Sequence, residues 1–274
     1  MVTEPTPTAR WGSEAIDPDG FNLPALKAKY LLDHLPASGD VLEVGSGDGK
    51  ILRTLAAQRP ELRLHGCDIR NWDAPAPRVE FRVMTSRAIP FAAASFDAVL
   101  VVDVIEHVDD PAFLIGEIAR VLRPTGRFVG FVPIEGEPRS LYALYRSLLG
   151  DDLYERTKHH VQAFRHADME RMIGAHFELA DVSHAYHVLG HVMDATFFAA
   201  AHLPRLGRFW WRENKYYAAD AGSKGPLAFA LNRMLEVGNV LAYLESRLFA
   251  KRRLAAAGML FDARPKPGRS VETV

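Results

Sequence analysis

Cysteine is almost absent from this chain: Cys67 is the single one among 274 residues, so no intramolecular disulfide supports the fold. Charge of one sign is lacking too. The 33 Lys and Arg nearly cancel the 34 Asp and Glu, so the balance gives no reason to expect a nucleic acid partner. Long apolar runs are missing, and the greasiest stretch, Ala195 to Leu203, is too short to span a bilayer. Contact with a membrane surface stays open. Met1 to Trp11 has neither the basic start nor the apolar core of a secretory signal, which predicts a cytoplasmic protein. No internal repeat is found. What is present is an ordinary globular composition, 48% hydrophobic and 24% charged, in a chain long enough to bury a large core without metal or disulfide support.

Apolar spacing divides the chain. Residues 1–22 start with a Thr- and Pro-rich lead-in too poor in apolar side chains to fold. Leu26, Tyr30, Leu31 and Leu35 recur at helical spacing before Pro36. Short apolar runs then alternate with amphipathic stretches. Strands are predicted at Val41 to Val44, Leu62 to Cys67, Val79 to Met84, Ala98 to Val102 and Arg127 to Val132, with helices at Lys50 to Gln58 and Pro111 to Leu122. This alternation predicts a doubly wound parallel sheet with helices on both faces. A helix from Asp168 to Ala175 and a strand from Phe177 to Val182 follow. Then come roughly seventy mainly helical, Ala- and aromatic-rich residues, before a last strand at Met259 to Ala263. The expected organisation is a core of residues 23–183 and 256–264, a helical insert or lid of residues 184–255 between the last two strands, and a tail of residues 265–274. Within the insert, Leu227, Leu231, Met234, Leu235, Gly238, Leu241, Leu248 and Phe249 form one side of a long helix, expected to pack on the core.

The segment Val41-Leu42-Glu43-Val44-Gly45-Ser46-Gly47-Asp48-Gly49 carries the strongest chemical signal: a strand ending in an acid runs into a glycine-rich turn before a helix. Glycines at such a turn let the backbone bend tightly and approach a ligand. The spacing is G-x-G-x-G, not the G-x-G-x-x-G of dinucleotide sites. Glu43, two residues before Gly45, would repel a pyrophosphate but suits a cationic ligand such as a sulfonium amino acid. A nicotinamide-dependent oxidoreductase is disfavoured on both counts. Asp68 ends the second strand, where a carboxylate can accept hydrogen bonds from two ribose hydroxyls, and Ile69 beside it can pack on an adenine face. The buried run Ala98 to Val102 bursts into the polar residues Asp103, Glu106 and His107 at the strand end that faces the ligand crevice in open α/β sheets.

With these residues in place the chain resembles the large class I S-adenosylmethionine-dependent methyltransferase family that includes the ubiquinone and menaquinone biosynthesis enzymes. The resemblance spans Ala25 to Val182 and rests on Leu42 to Gly49, Asp68, Ile89-Pro90-Phe91 and Phe96 to Pro111, in order and spacing. It implies a Rossmann-like seven-stranded sheet with the last strand antiparallel. It also implies S-adenosylmethionine as cofactor: the methionine moiety at Gly45, Ser46, Gly47 and Gly49, the ribose at Asp68, and the adenine between Ile69 and Thr85-Ser86, with Glu43 and Asp103 completing the set. One departure is that Thr85 stands where relatives often carry an Asp for the adenine amino group.

Asp103-x-x-Glu106-His107 is similar to the acid-x-x-Glu-His of methyltransferases that hold a divalent ion beside a substrate hydroxyl. A metal-free pocket is the preferred reading, with Asp103, Glu106 and His107 as the metal alternative and His159 or His160 as a further ligand. Methyl transfer requires positioning and, for a hydroxyl, removal of a proton. His107 and His160 are the candidate catalytic bases, because imidazole titrates near neutrality. His184, His187, His191 and His202 are expected to be core-edge residues that line the pocket as a group. The expected acceptor is small or lipid-linked, most simply a hydroxyl oxygen, with nitrogen or carbon acceptors and a catalytically inactive partner subunit as alternatives. Phe197, Phe198, Phe209, Trp210, Trp211, Tyr216 and Tyr217 suit a lid over an apolar acceptor, and Lys251, Arg252 and Arg253 suit an anionic membrane surface.

Overall fold

The computed structural model describes residues 15–72, 78–85, 88–138, 140–150, 160–194 and 225–267. Seven strands form one sheet: β1 (Gly39–Val44), β2 (Leu62–Asp68), β3 (Val79–Val83), β4 (Phe96–Val102), β5 (Leu122–Pro133), β6 (Phe177–Ala185) and β7 (Gly258–Pro265). Their order is β3-β2-β1-β4-β5-β7-β6. β1 to β5 run parallel, and β7 slots antiparallel between β5 and β6. The sheet is therefore Rossmann-like with an antiparallel last strand, as expected.

Side-chain alternation along β1 explains the layering, since successive residues of a strand point to opposite faces. Leu42 and Val44 join one core with Val99, Val101 and Phe128, under the helices α3 (Pro111–Val121) and α5 (His166–Gly174). Val41 joins the other with Leu64, Leu100 and Val129, under α1 (Leu23–His34) and α2 (Lys50–Gln58). Helix starts follow local chemistry. Asn22 accepts from the Ala25 amide at 2.8 Å and Asp110 from the Phe113 amide at 3.0 Å, each with a proline in the first turn that needs no partner for its nitrogen. Ser140 caps α4 (Leu141–Leu149) likewise, accepting from the Ala143 amide at 3.1 Å.

Two differences from the sequence reading have physical causes. β6 continues to Ala185, because its last residues stay in register with β7, His184 opposite Met259 and Ala185 opposite Gly258. The long helix α6 (Pro226–Leu248) exists, but it buries a different face from the one expected. Ala228, Asn232, Leu235, Ala242, Tyr243 and Ser246 are buried, whereas Leu227, Met234, Leu241, Leu248 and Phe249 are exposed. Small side chains at 228, 242 and 246 let α6 approach closely, with the Ser246 hydroxyl accepting from the Tyr186 amide at 3.2 Å. Counting large apolar residues overlooks such a face. His202 and the aromatic residues 197, 198, 209, 210, 211, 216 and 217 lie outside the described residues.

Candidate functional site

The carboxyl ends of β1, β2 and β4 open on one edge of the sheet, and the candidate residues gather there. After Val44 the chain turns through Gly45, Gly47 and Gly49, at φ 72, 51 and 80. The three glycines do different work. A Cβ on Gly45 would stand 2.5 Å from Val104 Cγ2, so Gly45 allows the β4 loop to pack against the turn. A Cβ on Gly47 would meet nothing within 4 Å, so this residue faces open space. Gly49 is the N-cap of α2. The amides of Gly45 and Ser46 both donate to the Cys67 carbonyl, at 2.8 and 3.1 Å, and the buried Ser46 side chain points back at Gly66.

Glu43 lies beneath this turn, 3% exposed, on the α2 side of the sheet. Its carboxylate accepts from the backbone of Leu52 in the first turn of α2, where helix N–H groups lack partners. Burial above all, with Asp48 and Asp68 nearby, holds the carboxyl well above the usual carboxylate range. It is a weaker anion than its position in the sequence suggests, and it anchors the turn from below.

Asp68 ends β2 and accepts from the Gly47 amide at 2.9 Å through one oxygen and from the Arg70 amide at 3.0 Å through the other. Each oxygen retains a lone pair for a further donor. Ile69 beside it is 65% exposed, an apolar face with no cover from the described residues. The Met84 amide donates to the Asp68 carbonyl at 2.8 Å, which brings exposed Thr85 to the same edge. Ser86 lies outside the described residues.

Past β4, Asp103 adopts φ 53, a left-handed conformation uncommon outside glycine. Its carboxylate takes Lys27 Nζ at 2.9 and 2.6 Å, and that ammonium also lies 3.7 Å from the Phe131 ring centroid. Burial opposes the charge on Lys27, but Asp103 outweighs it and raises the ammonium above its ordinary value. Asp103 is held by Lys27, because α1 carries this cation onto the strand end.

His160 lies with Glu106 and His107 at this strand end. Glu106 is 1% exposed in the 3-10 turn Ile105–His107. Its backbone carbonyl accepts the amides of Val161 and Gln162, both at 3.0 Å, which fastens the 160–162 segment against the turn. The His107 and His160 rings meet edge to face, centroids 4.8 Å apart. His160 Nδ1 lies 2.7 Å from Oε2 of Glu135, a 2% exposed acid just past β5. One donor atom from each of Glu106, His107 and His160 lies within 4.8 Å of the others.

Of the other histidines, His184 and His166 bond to each other at 3.2 Å, His187 binds the Arg252 carbonyl at 2.8 Å, and His191 packs on Tyr142 with centroids 4.5 Å apart. All four are buried. Sequence reasoning missed Lys27, Glu135 and Tyr142. Glu135 had a signal, a polar residue directly after a buried strand, whereas Lys27 and Tyr142 sit on helices whose spacing speaks only of packing.

Residues 42–130, which hold the glycine turn, Asp68 and the Glu106-His107 turn, match the family described as a methyltransferase domain. The chain carries a class I methyltransferase domain. A ubiquinone/menaquinone biosynthesis C-methyltransferase of Desulfotalea psychrophila is 31% identical over 101 residues, 34% of this chain and 41% of that protein. A ubiquinone biosynthesis O-methyltransferase of Xylella fastidiosa is 31% identical over 131 residues, 40% of this chain and 51% of that protein. The chain thus spans about half the length of these relatives or less. Likeness to solved structures is one of fold. A putative methyltransferase from Bacillus halodurans superposes with TM-score 0.53 at 17% identity, covering 88% of this chain and all, 100%, of the other. A geranyl diphosphate C-methyltransferase from Streptomyces coelicolor superposes with TM-score 0.53 at 14% identity, covering 89% and 80%.

Proposed function

We propose that the protein is an S-adenosylmethionine-dependent methyltransferase acting on a small or lipid-linked acceptor, with a hydroxyl oxygen as the methylated atom. The observation that carries this reading is the edge itself: an open left-handed Gly47 bonded to Asp68, beside a buried acid and two imidazoles. Asp68 has the free lone pairs to hold a ribose, exposed Ile69 and Thr85 flank an adenine, and Gly47 leaves room for the ligand backbone. Lys27 and Asp103 together offer one cation and one anion, the complement of an amino acid zwitterion. When bound, S-adenosylmethionine supplies an electrophilic methyl group on a sulfonium.

The chain's own task is then positioning and proton removal. His107 and His160 are the groups at which the acceptor hydroxyl loses its proton, and Glu135 fixes the orientation of His160. Buried Tyr142 beside Glu135 and half-buried Tyr186 beside Lys27 give this side of the edge an aromatic wall that suits an apolar acceptor. The O-methyltransferase among the relatives supports an oxygen acceptor. S-adenosylhomocysteine is expected to bind in calorimetry, and Asp68→Ala to weaken it by about 1.5–3 kcal/mol, the loss of hydrogen bonds to a charged group. Unchanged affinity overturns the cofactor assignment. In a transfer assay with hydroxylated aromatic and prenylated acceptors, His160→Ala lowers turnover by on the order of 10² with cofactor affinity kept.

A further inference from the structure

We propose that the outward face of α6 docks the protein on an anionic lipid bilayer, with the apolar side chains of the helix in the interface and the basic residues at its C-terminal end against the headgroups. An ordinary surface helix buries its large apolar residues and shows its polar ones. α6 does the reverse. Between Pro226 and Leu248 eight large apolar side chains are exposed and two, Leu235 and Tyr243, are buried; the rest of the buried side is Ala228, Asn232, Ala242 and Ser246. Met234, Val237, Leu241, Leu244 and Leu248 follow spacings of three and four, so they share one stripe. The 23 residues make that stripe about 34 Å long and about 10 Å wide. An apolar surface of several hundred Å² left in water marks an interaction site.

Charge selects the occupant. The two acids of α6 stand on the margins of the stripe and are engaged there: Glu236 with Arg233 at 2.8 Å, and Glu245 with the amides of Leu189 and Gly190 at 2.8 and 3.3 Å. Residues 246–253 then hold four cations, Arg247, Lys251, Arg252 and Arg253, and no acid. Lys251 and Arg253 pair with Asp181 and Glu170 yet stay 64% and 46% exposed, and Arg247 and Arg252 are exposed as well. An apolar stripe that ends in a basic cluster is the pattern of a helix lying in the plane of an anionic membrane surface. No helix among the described residues is long and apolar enough to cross a membrane, so α6 lies along it.

A second copy of the chain is poorly served by this surface. The stripe offers about 340 Å², less than half of the ~800 Å² that each partner gives to a stable protein interface. An interfacial helix needs only partial burial of one such stripe together with attraction to the headgroups. The opposite side of α6 meets the site edge, where the Ser246 hydroxyl accepts from the Tyr186 amide at 3.2 Å and the Tyr186 ring lies 5.5 Å from the Lys27 ammonium. One helix diameter, about 10 Å, thus separates the bilayer from that edge, which suits an acceptor carried on a lipid. Docking itself is independent of the methyl-transfer reading.

The full chain is sedimented with vesicles of phosphatidylcholine containing about one-third phosphatidylglycerol, and with vesicles of phosphatidylcholine alone. It binds the mixed vesicles saturably and the neutral ones at least tenfold more weakly. Leu241→Glu with Leu244→Glu weakens binding at least tenfold, and Arg247→Gln with Arg252→Gln weakens it about fivefold per cation removed, while the affinity for S-adenosylhomocysteine is kept. If the double glutamate variant does not fold, Leu248→Glu, at a 76% exposed position, reads the same loss. Absence of binding to the mixed vesicles, or wild-type binding by Leu248→Glu, overturns the docking face. A dimer in sedimentation velocity that Leu248→Glu dissociates gives the face to a second copy and overturns it too. So does a loss of thermal stability in Leu248→Glu with vesicle binding unchanged, which gives the face to another segment of the same chain. Failure of S-adenosylhomocysteine to bind a protein that sediments with the mixed vesicles overturns the methyl-transfer reading and leaves the docking face standing.

Discussion

Gly45 and Gly47 share a left-handed backbone and a place in the same turn, yet replacing each by alanine has different consequences. An alanine in this conformation costs roughly 1–2 kcal/mol from contact between Cβ and the following carbonyl. Gly47→Ala pays that and little more, since its Cβ meets no atom within 4 Å. Gly45→Ala adds a Cβ 2.5 Å from Val104 Cγ2 and 2.9 Å from Cγ1, an overpacking that costs a further ~1–3 kcal/mol. Urea denaturation should therefore give about 1–2 kcal/mol of lost stability for Gly47→Ala and about 2–5 kcal/mol for Gly45→Ala. Ligand binding reverses the ranking. With the cofactor over the glycine turn as proposed, the new methyl at 47 projects into its space, whereas at 45 it projects into Val104. Calorimetry with S-adenosylhomocysteine should show Gly47→Ala binding at least tenfold more weakly, an effect beyond its stability loss. A Gly47→Ala protein that is folded and binds with wild-type affinity refutes the reasoning, and so does a Gly45→Ala protein as stable as Gly47→Ala.

Two further outcomes test the buried titratable groups. Burial first, then His166 and His187, push the His184 imidazole down to about 4. A depressed base takes up its proton more readily when unfolded, so stability is full above an ordinary pH of about 6.5 and declines as pH falls toward 4, by about 1–3 kcal/mol. His184→Gln should flatten that part of the stability profile, and an unchanged slope refutes the assignment. Cys67 is fully buried in β2, and burial pushes its thiol up to about 12. An aromatic disulfide reagent at pH 8 should label it no faster than the chain unfolds, as judged by exchange measured alongside; rapid native labelling counts against the burial.

The parts of this molecule that could be read from the chain are those whose physics is local. The glycine turn was legible because three glycines at G-x-G-x-G spacing follow an apolar run, and the position of Asp68 because it ends the next such run. All seven strands were legible for the same reason. The parts that escaped were made by long-range contact. Lys27 lies on a helix where Leu31 and Ala28 are buried, and its polar role exists only because α1 sets it 2.6 Å from Asp103, 76 residues away. Asp103 was therefore grouped with its neighbours in sequence. Glu135 took on meaning only once His160 was found beside it. The face of α6 was misjudged because Ala228, Ala242 and Ser246 bury through smallness, which a hydrophobic count undervalues.

The candidate site depends on a single short loop held from three directions. Val104 fills the space that Gly45 leaves empty, the Asp103 amide reaches the Phe131 carbonyl of β5 at 3.3 Å, and the Glu106 carbonyl receives two amides from the 160–162 segment. Asp103 is bent into a left-handed conformation that costs of order 1 kcal/mol, and its two contacts with Lys27 offset that strain. Each restraint comes from a different element: the β1 turn, β5 with α1, and the segment before α5. The loop's position therefore reports the assembly of the whole sheet edge. The glycine turn and the imidazoles cannot be adjusted independently, because Val104 packs against one and Glu106, two residues on, holds the other. Because Val104 packs against Gly45, any movement of the glycine turn bears on the loop that carries Glu106 and His107.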